Sequence, residues 1–293
     1  MKRLFLLCCC LAAAVPFSAR GESLERALRA VTDSVRATVG VAVVFGDGDT
    51  LAVNGGRCYP MLSVCKFHQA LAVLDRLDRR GLPLTTRIPV RRSDLLSGTW
   101  SPLREACPGG GRFTVAELLT YSVAQSDNNV CDVLFRFLGG TEAVDRYIAG
   151  LGIGETVIVA DEEMMHRHTD NQYLNRTTPL AAVRLLELFR RGELLSAAYG
   201  DFLLETMFAT ETGPDKLRGL LPADVAVAHK TGSSDRDGRG VKIADNDIGI
   251  VRLPDGRSYS IAVFAMDSRE DDRTNAAVIA RISRLVYDYA ARR

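Results

Sequence analysis

The sequence predicts an α/β protein of the α+β kind: an antiparallel sheet flanked by helices, with an all-helical lobe inserted between its strands. Three observations carry this expectation. Strand-like segments fall near the two ends of the chain. The long middle has the apolar spacing of helices. No repeat, low-complexity tract or linker separates the ends from the middle, so both ends contribute to one sheet.

The chain opens with what reads as an export signal over residues 1–21. Lys2 and Arg3 form a charged start, residues 4–15 an apolar run, and Ala19-Arg20-Gly21 a small-x-small cleavage site. The run is shorter than the roughly 20 residues that span a bilayer. Cys8, Cys9 and Cys10 lie inside it without small residues before them, which is not the setting of a lipidated cysteine. Cleavage after Gly21 leaves 272 residues, enough for two lobes, and moves the net charge from +1 to −2 by removing Lys2, Arg3 and Arg20. A near-neutral chain carries no electrostatic footprint for nucleic acid. No later stretch is long enough to span a membrane. With the leader cleaved, a periplasmic location is expected, and so is a monomeric state. Cys58, Cys65, Cys107 and Cys131 follow the leader. An oxidising compartment permits bridges among them in three full connectivities. Cys65 and Cys131 sit in apolar helix patterns and read equally well as buried small hydrophobes.

Residues 23–39 have the spacing of an amphipathic helix. Residues 41–45 and 50–53 flank Gly46-Asp47-Gly48-Asp49 and predict a hairpin. A long helix follows, with Leu71, Leu74 and Leu77 on one side, and stops at Gly81. Thr114-Val115-Ala116-Glu117 has the capping-box spacing. Asp127 or Asn128 opens the next helix, which closes at Gly139-Gly140. Thr178-Pro179 opens another, with proline at the first helical position, and residues 196–208 form one more. The ending changes character. Residues 225–228 read as a strand, residues 248–253 and 259–266 as a hairpin about Pro254-Asp255-Gly256, and residues 274–291 as a terminal amphipathic helix. The expected division is residues 22–60 with 212–293 in the sheet lobe, and residues 61–211 in the helical lobe, including an acidic loop at 152–178.

Three short motifs punctuate this framework: Ser63-Val64-Cys65-Lys66, Ser126-Asp127-Asn128 and Lys230-Thr231-Gly232. Three residues apart at a helix start, Ser63 and Lys66 share a face. A serine hydroxyl is a weak nucleophile until a neighbouring base takes its proton. A lysine serves as that base only when desolvation or nearby positive charge lowers its pKa. The helix N-terminus adds N–H groups for a developing oxyanion. Met61-Leu62 and Phe67 place the pair at the edge of a buried helix. Ser126 and Asn128 have the donor and acceptor inventory of a substrate site, while Asp127 reads as a helix cap. Lys230 follows a strand, and Gly232 lets a ligand approach the backbone closely.

In this order the motifs resemble those shared by class A serine β-lactamases and penicillin-binding proteins. The chain resembles a class A serine β-lactamase along nearly its whole length after the leader. The resemblance implies the serine β-lactamase/transpeptidase-like fold, with the active site in the cleft between lobes. It implies hydrolysis of the β-lactam ring of penicillins and cephalosporins through a serine acyl-enzyme, giving antibiotic resistance, with no cofactor. In that family Ser63 is the nucleophile, and either Lys66 or Glu162 through a water takes its proton. Ser126 delivers a proton to the lactam nitrogen, and Asn128 holds the acylamide side chain. Lys230, Thr231 and Ser233 meet the substrate carboxylate, and the N–H groups of Ser63 and Ser233 form the oxyanion hole.

Glu162 is chosen as the base for deacylation from Asp161-Glu162-Glu163, because the PER- and CfxA-like branch of the family has a methionine three residues after it, here Met165, followed by His166. The common loop clamp is absent: Ala160 and His166 stand where the usual loop has arginine and asparagine. Position 171 is Asn and cannot be a base, although Tyr173-Leu174-Asn175 imitates the tail of the usual motif. Trp100 matches the aromatic at the cleft entrance and reads alternatively as core. His166 is expected beside the hydrolytic water. Lys216, with Arg218 as its rival, matches a basic residue that binds the substrate carboxylate in that branch, which leans toward cephalosporins. His166-Arg167-His168-Thr169-Asp170 spells the zinc pattern H-x-H-x-D, but only His68 and His229 remain as further histidines, so no metal is expected. Two alternatives stay open. A D-alanyl-D-alanine peptidase shares the acylation chemistry without fast release, and the acidic loop and the S-D-N form of the second motif speak against it. An acylated sensor needs no working Glu162, and no membrane segment is present to carry its signal.

Overall fold

The computed structural model describes residues 17–293. Most of the expected leader, including its apolar run, therefore lies outside the described residues. Helix α1 spans Phe17–Thr32 and stops well short of residue 39. Thr32 Oγ1 donates to the Arg29 carbonyl (3.0 Å) and Ser34 Oγ to the Val31 carbonyl (2.8 Å), so side chains satisfy the last turn. The β-branched run that follows is taken instead by strand β1, Thr38–Phe45, where it packs on a sheet. Strand β2, Thr50–Val53, completes the expected hairpin.

A short strand, β3 (Tyr59–Pro60), leads into α2, Cys65–Arg79. Next come β4 (Arg87–Arg91), α3 (Pro102–Ala106), β5 (Gly110–Thr114) and α4 (Val115–Leu119). Thr114 and Glu117 form the expected capping box. Helix α5, Asn128–Leu138, is capped by Asp127 and closes at Gly139 in the left-handed region (φ 91°). It is followed by α6 (Thr141–Gly150), α7 (Glu162–Arg167) and β6 (Arg176–Thr177). Helix α8 is Pro179–Arg190, capped by Thr178, and α9 is Ala197–Phe208. Strands β7 (Ala226–Ser233), β8 (Lys242–Arg252) and β9 (Ser258–Ser268), then helix α10 (Asp272–Ala290), end the chain.

The main sheet has five antiparallel strands in the order β2-β1-β9-β8-β7, so the two ends of the chain interleave in one sheet as expected. Both faces of its central strands are buried, which is why they read as continuous apolar runs. Alternate residues separate two cores. Val41, Val43, Ile261 and Val263 face one cluster with Leu28, Ile279 and Ile282 of the terminal helices. Ala42, Ala262 and Phe264 face the other, which continues through Phe67, Leu71 and Leu74 of α2 into the helical middle. Helices α8 and α9 pack on this second face, α8 across β1, β9 and β8 and α9 along β7, on the side where β7 presents Lys230.

The sequence reading did not foresee the short β3 and β6 strands, the β4–β5 ribbon, or helices α3, α6 and α7. The ribbon is only five residues long on each side and buries just Ile88 and Val90 of β4, too short a pattern to separate from a loop. All four described cysteines are free thiols. Cys65 and Cys131 are buried and Cys58 is exposed, so the first two behave as small hydrophobes.

Candidate active site

Ser63 lies in a single 3₁₀ turn, Leu62–Val64, that runs straight into α2. Leu62 holds a left-handed backbone (φ 46°), and Met61 N–H donates to the Asn175 carbonyl at 2.9 Å. Strand β7 presses on this turn. A Cβ on Gly232 would lie 2.4 Å from the Met61 carbonyl oxygen and 3.0 Å from Val64 N, so only glycine permits the approach.

Lys66 is fully buried one helical turn on. Its ammonium donates to Ser63 Oγ (2.9 Å), the Ser126 carbonyl (3.0 Å) and Asn128 Oδ1 (2.5 Å). Three acceptors use all three N–H groups. Glu162 Oε1 stands at 2.9 Å as a contact ion partner without a fourth hydrogen. Burial is the largest single influence and works against the Lys66 charge, but the Glu162 carboxylate, together with the neighbouring Cys131 and Cys65 thiols, holds Lys66 above its ordinary value.

Ser126 follows a wide π-type turn over Thr120–Ala124 and also has a left-handed backbone (φ 60°). Such strain concentrates where a structure over-determines a functional group. Here Ser126 bridges two lysines: its carbonyl accepts from Lys66, and its hydroxyl accepts from Lys230 Nζ at 2.9 Å. Burial, reinforced by the Lys66 charge, pushes Lys230 down to about 7. Asp127 is more than a cap. Its carboxylate accepts from Val130 N (2.9 Å), Leu103 N (2.8 Å) and Ser101 Oγ (3.0 Å), which ties the segment before α3 to the start of α5. That segment carries Trp100, whose carbonyl accepts from Asn128 N at 3.0 Å. Trp100 is 57% exposed, with its indole N–H on the Gln125 carbonyl, so it belongs to the rim and not to the core.

The acidic loop is held by residues to which the sequence reading gave no such role. Asp132 accepts Glu162 N on Oδ1 (2.8 Å) and Glu163 N on Oδ2 (3.0 Å). Asp161 caps α7 through Met164 N (2.8 Å). Buried Asn175 accepts from Val159 N (2.8 Å) and Ala160 N (2.9 Å) and donates to the Ala160 carbonyl (2.7 Å), closing the neck of the loop. Together Asp132 and Asn175 do the work of the missing arginine–aspartate clamp. Glu162 is buried against Lys66, whereas Glu163 is exposed and pairs with Arg167 at 2.5 Å. One signal for Asp132 was available: it lies four residues after Asn128, hence on the same face of α5.

Burial, with the Glu162 and Asp161 carboxylates nearby, pushes Asp132 up to about 7 against the lowering effect of its two N–H donors. The folded state therefore keeps a proton that the unfolded chain, with an aspartate near 3.9, has lost. Stability contributed by this group falls as pH rises from about 4 to 7 and is level above that. Asp132→Asn is expected to flatten that slope in urea melts run across the same pH range, and an unchanged slope would reassign the titration.

The remaining expected site residues divide. Thr231 Oγ1 lies 2.6 Å from Thr212 Oγ1, at the end of β7. Ser233 Oγ donates to Asp245 Oδ1 at 3.0 Å. Lys216 is buried, and its ammonium rests on the same Asp245 oxygen at 2.5 Å. His166 is exposed on α7, and its side chain makes no hydrogen bond among the described residues. His168 and Asp170 are exposed as well, and no group of metal-binding side chains converges among the described residues.

The sequence profile described as the beta-lactamase enzyme family matches residues 23–290. A β-lactamase of Bacteroides uniformis is 47% identical over 267 residues, covering 90% of each chain. The extended-spectrum β-lactamase PER-1 of Pseudomonas aeruginosa is 41% identical over 274 residues, covering 93% of this chain and 89% of its own. A solved class A β-lactamase of Bacteroides cellulosilyticus superposes with a TM-score of 0.89 at 46% identity, covering 92% of this chain and 98% of that one. With this likeness running through the sheet, the helical middle and all three motifs, the chain belongs to the beta-lactamase enzyme family, as a class A serine β-lactamase.

Proposed function

We propose that Ser63 opens the β-lactam ring of penicillins and cephalosporins, that the resulting acyl-enzyme is hydrolysed with Glu162 as base, and that the chain thereby confers antibiotic resistance. The observation that carries this reading is the unbroken series of contacts from Ser63 through Lys66 and Ser126 to Lys230, with Glu162 against Lys66. Lys66 is charged and donates to Ser63, so it accepts the serine proton only after passing one of its own to Glu162. Glu162 is the proton sink, either through Lys66 or through a water. As Ser63 Oγ bonds to the lactam carbonyl carbon, the oxyanion rests on the N–H groups of Ser63 and Ser233, which the Gly232 approach draws together. The C–N bond then breaks, Ser126 gives its hydroxyl proton to the lactam nitrogen, and the proton held on Glu162 passes back through Lys66 to Ser126, which restores the Glu162 carboxylate. Glu162 then takes a proton from water, which attacks the ester carbon, and that proton goes to Ser63 Oγ as its bond to the acyl carbon breaks.

Lys230 and Thr231 anchor the substrate carboxylate, Asn128 the acylamide, and Trp100 walls the entrance. His166, on the exposed side of α7, has no substrate role in this scheme, which departs from the sequence expectation. A leaning toward cephalosporins and extended-spectrum substrates comes with the likeness to PER-1. Among the described residues no helix is long and apolar enough to cross a membrane. Export through the 1–21 leader, a periplasmic location, a monomeric state and the division into lobes at residues 60 and 212 belong to the same reading.

The decisive test mixes the purified protein with a chromogenic cephalosporin in the presence of a chelator and follows turnover and intact mass together. Many turnovers with little adduct establish the hydrolase. A single stoichiometric burst with a stable adduct moves the peptidase or sensor to the front. Lys230 adds a pH prediction. Its charge is present below about 7 and is lost as pH rises through that value. Therefore kcat/KM for a carboxylate-bearing β-lactam is expected to fall above about pH 7, mainly through KM, and Lys230→Arg is expected to move that limb to higher pH.

A further inference from the structure

Asp245 occupies a position that the scheme above leaves without a role. It sits on β8 opposite Ser233 of β7, next to the third motif, and is buried. One oxygen, Oδ1, accepts from Lys216 Nζ at 2.5 Å and from Ser233 Oγ at 3.0 Å. The other, Oδ2, lies 3.8 Å from Lys242 Nζ, which is drawn more closely to Asp272 at 3.1 Å. Lys216 also reaches the Asn246 carbonyl at 3.4 Å. The stem of Lys216 runs beside the substrate end of β7: a Cβ on Gly213 would be 3.0 Å from Lys216 Cδ and 2.8 Å from Thr231 Cγ2.

Two consequences follow from this geometry. A hydroxyl has one hydrogen, and Ser233 spends it on Asp245, so toward the cleft Ser233 presents lone pairs and not a donor. A cation held at contact distance by a carboxylate presents little net charge to a third group. The basic residue and the hydroxyl expected to meet the substrate carboxylate are thus both engaged by the same acid.

We propose that Asp245 is a specificity-determining positioning residue, which limits the affinity of the cleft for anionic substrates by keeping Lys216 paired and the Ser233 hydroxyl turned inward. Carboxylate recognition then rests on Lys230 and Thr231. This inference depends on the proposed β-lactam site, and its test separates the two. Asp245→Asn keeps an acceptor for Lys216 and Ser233 and removes the negative charge, so the local packing is retained.

The experiment compares the native and Asp245→Asn proteins on one chromogenic cephalosporin as its free acid and as its neutral methyl ester. The expected result is a KM for the acid lowered about fivefold, with the ester KM and both kcat values within about twofold, as befits a charge change at fixed geometry. The gain is expected to shrink at high salt and to be partly reversed by adding Ser233→Ala, which removes the freed donor. An unchanged or raised KM for the acid overturns the proposal, as does an equal shift for acid and ester. Should Asp245→Asn fail to fold, Lys216→Met in the native background decides instead: a KM for the acid raised more than about threefold would mean that Lys216 already binds the substrate despite Asp245. Loss of turnover in the native protein itself would instead count against the site reading.

Discussion

Ser63→Ala is expected to end turnover, lowering kcat by about 10⁴-fold or more, as removal of a nucleophile from an acting unit does. No covalent adduct should appear in the intact mass. Little else should change, because the site is held together around Lys66 and not around Ser63. Without the serine hydroxyl, Lys66 keeps the Ser126 carbonyl, Asn128 Oδ1 and the Glu162 contact. Ser126 keeps Lys230. The variant should therefore fold as well as the native protein and still bind a cephalosporin reversibly, which equilibrium quenching of Trp100 at the rim is placed to report. An adduct on another residue would remove Ser63 from its role. Loss of binding along with turnover would mean that the hydroxyl supports the geometry of the turn itself.

Much of this architecture was legible because its signals are local. The starts of α4, α5 and α8 are written in adjacent residues: Thr114 with Glu117, Asp127 with Val130, and Thr178 before Pro179. The motif residues are legible for the same reason, since Ser63 and Lys66 meet across a single turn. The end of α1 was not legible. Residues 33–39 prolong a helical spacing, and only pairing of β1 with β9, more than 200 residues away, withdraws them from it. The supports of the site fall in the same class. Asp132 acts on a backbone 30 residues on, Asn175 on one 15 residues back, and Asp245 on a lysine 29 residues back. Each looks like an ordinary polar residue until the fold supplies its partners. The resemblance singled out Lys216, but it carried no word of Asp245, the acid that Lys216 meets. It also put His166 beside the water; α7 buries Glu162 and Met165, while His166 is exposed.

Glu162→Ala is expected to separate the two halves of the reaction. In the native site Glu162 keeps Lys66 protonated against the cost of its burial. Removing the carboxylate leaves desolvation as the dominant influence, and a fully buried lysine without a counter-charge shifts toward its neutral form. Neutral Lys66, one turn from Ser63, is then the base that takes the serine proton, so acylation should continue. Deacylation has no such substitute. The exposed Glu163 points to Arg167, and among the described residues no other carboxylate pairs with Lys66. Loss of a general base typically costs about 10²–10⁴ in rate, so the acyl-enzyme should accumulate and persist for minutes or longer in the intact mass. Glu163→Ala is the matched control and should turn over at nearly the native rate. A trapped adduct in Glu163→Ala, with Glu162→Ala still active, would move the base by one residue. Glu162→Ala that forms no adduct at all would make Glu162, and not Lys66, the residue through which acylation must also pass.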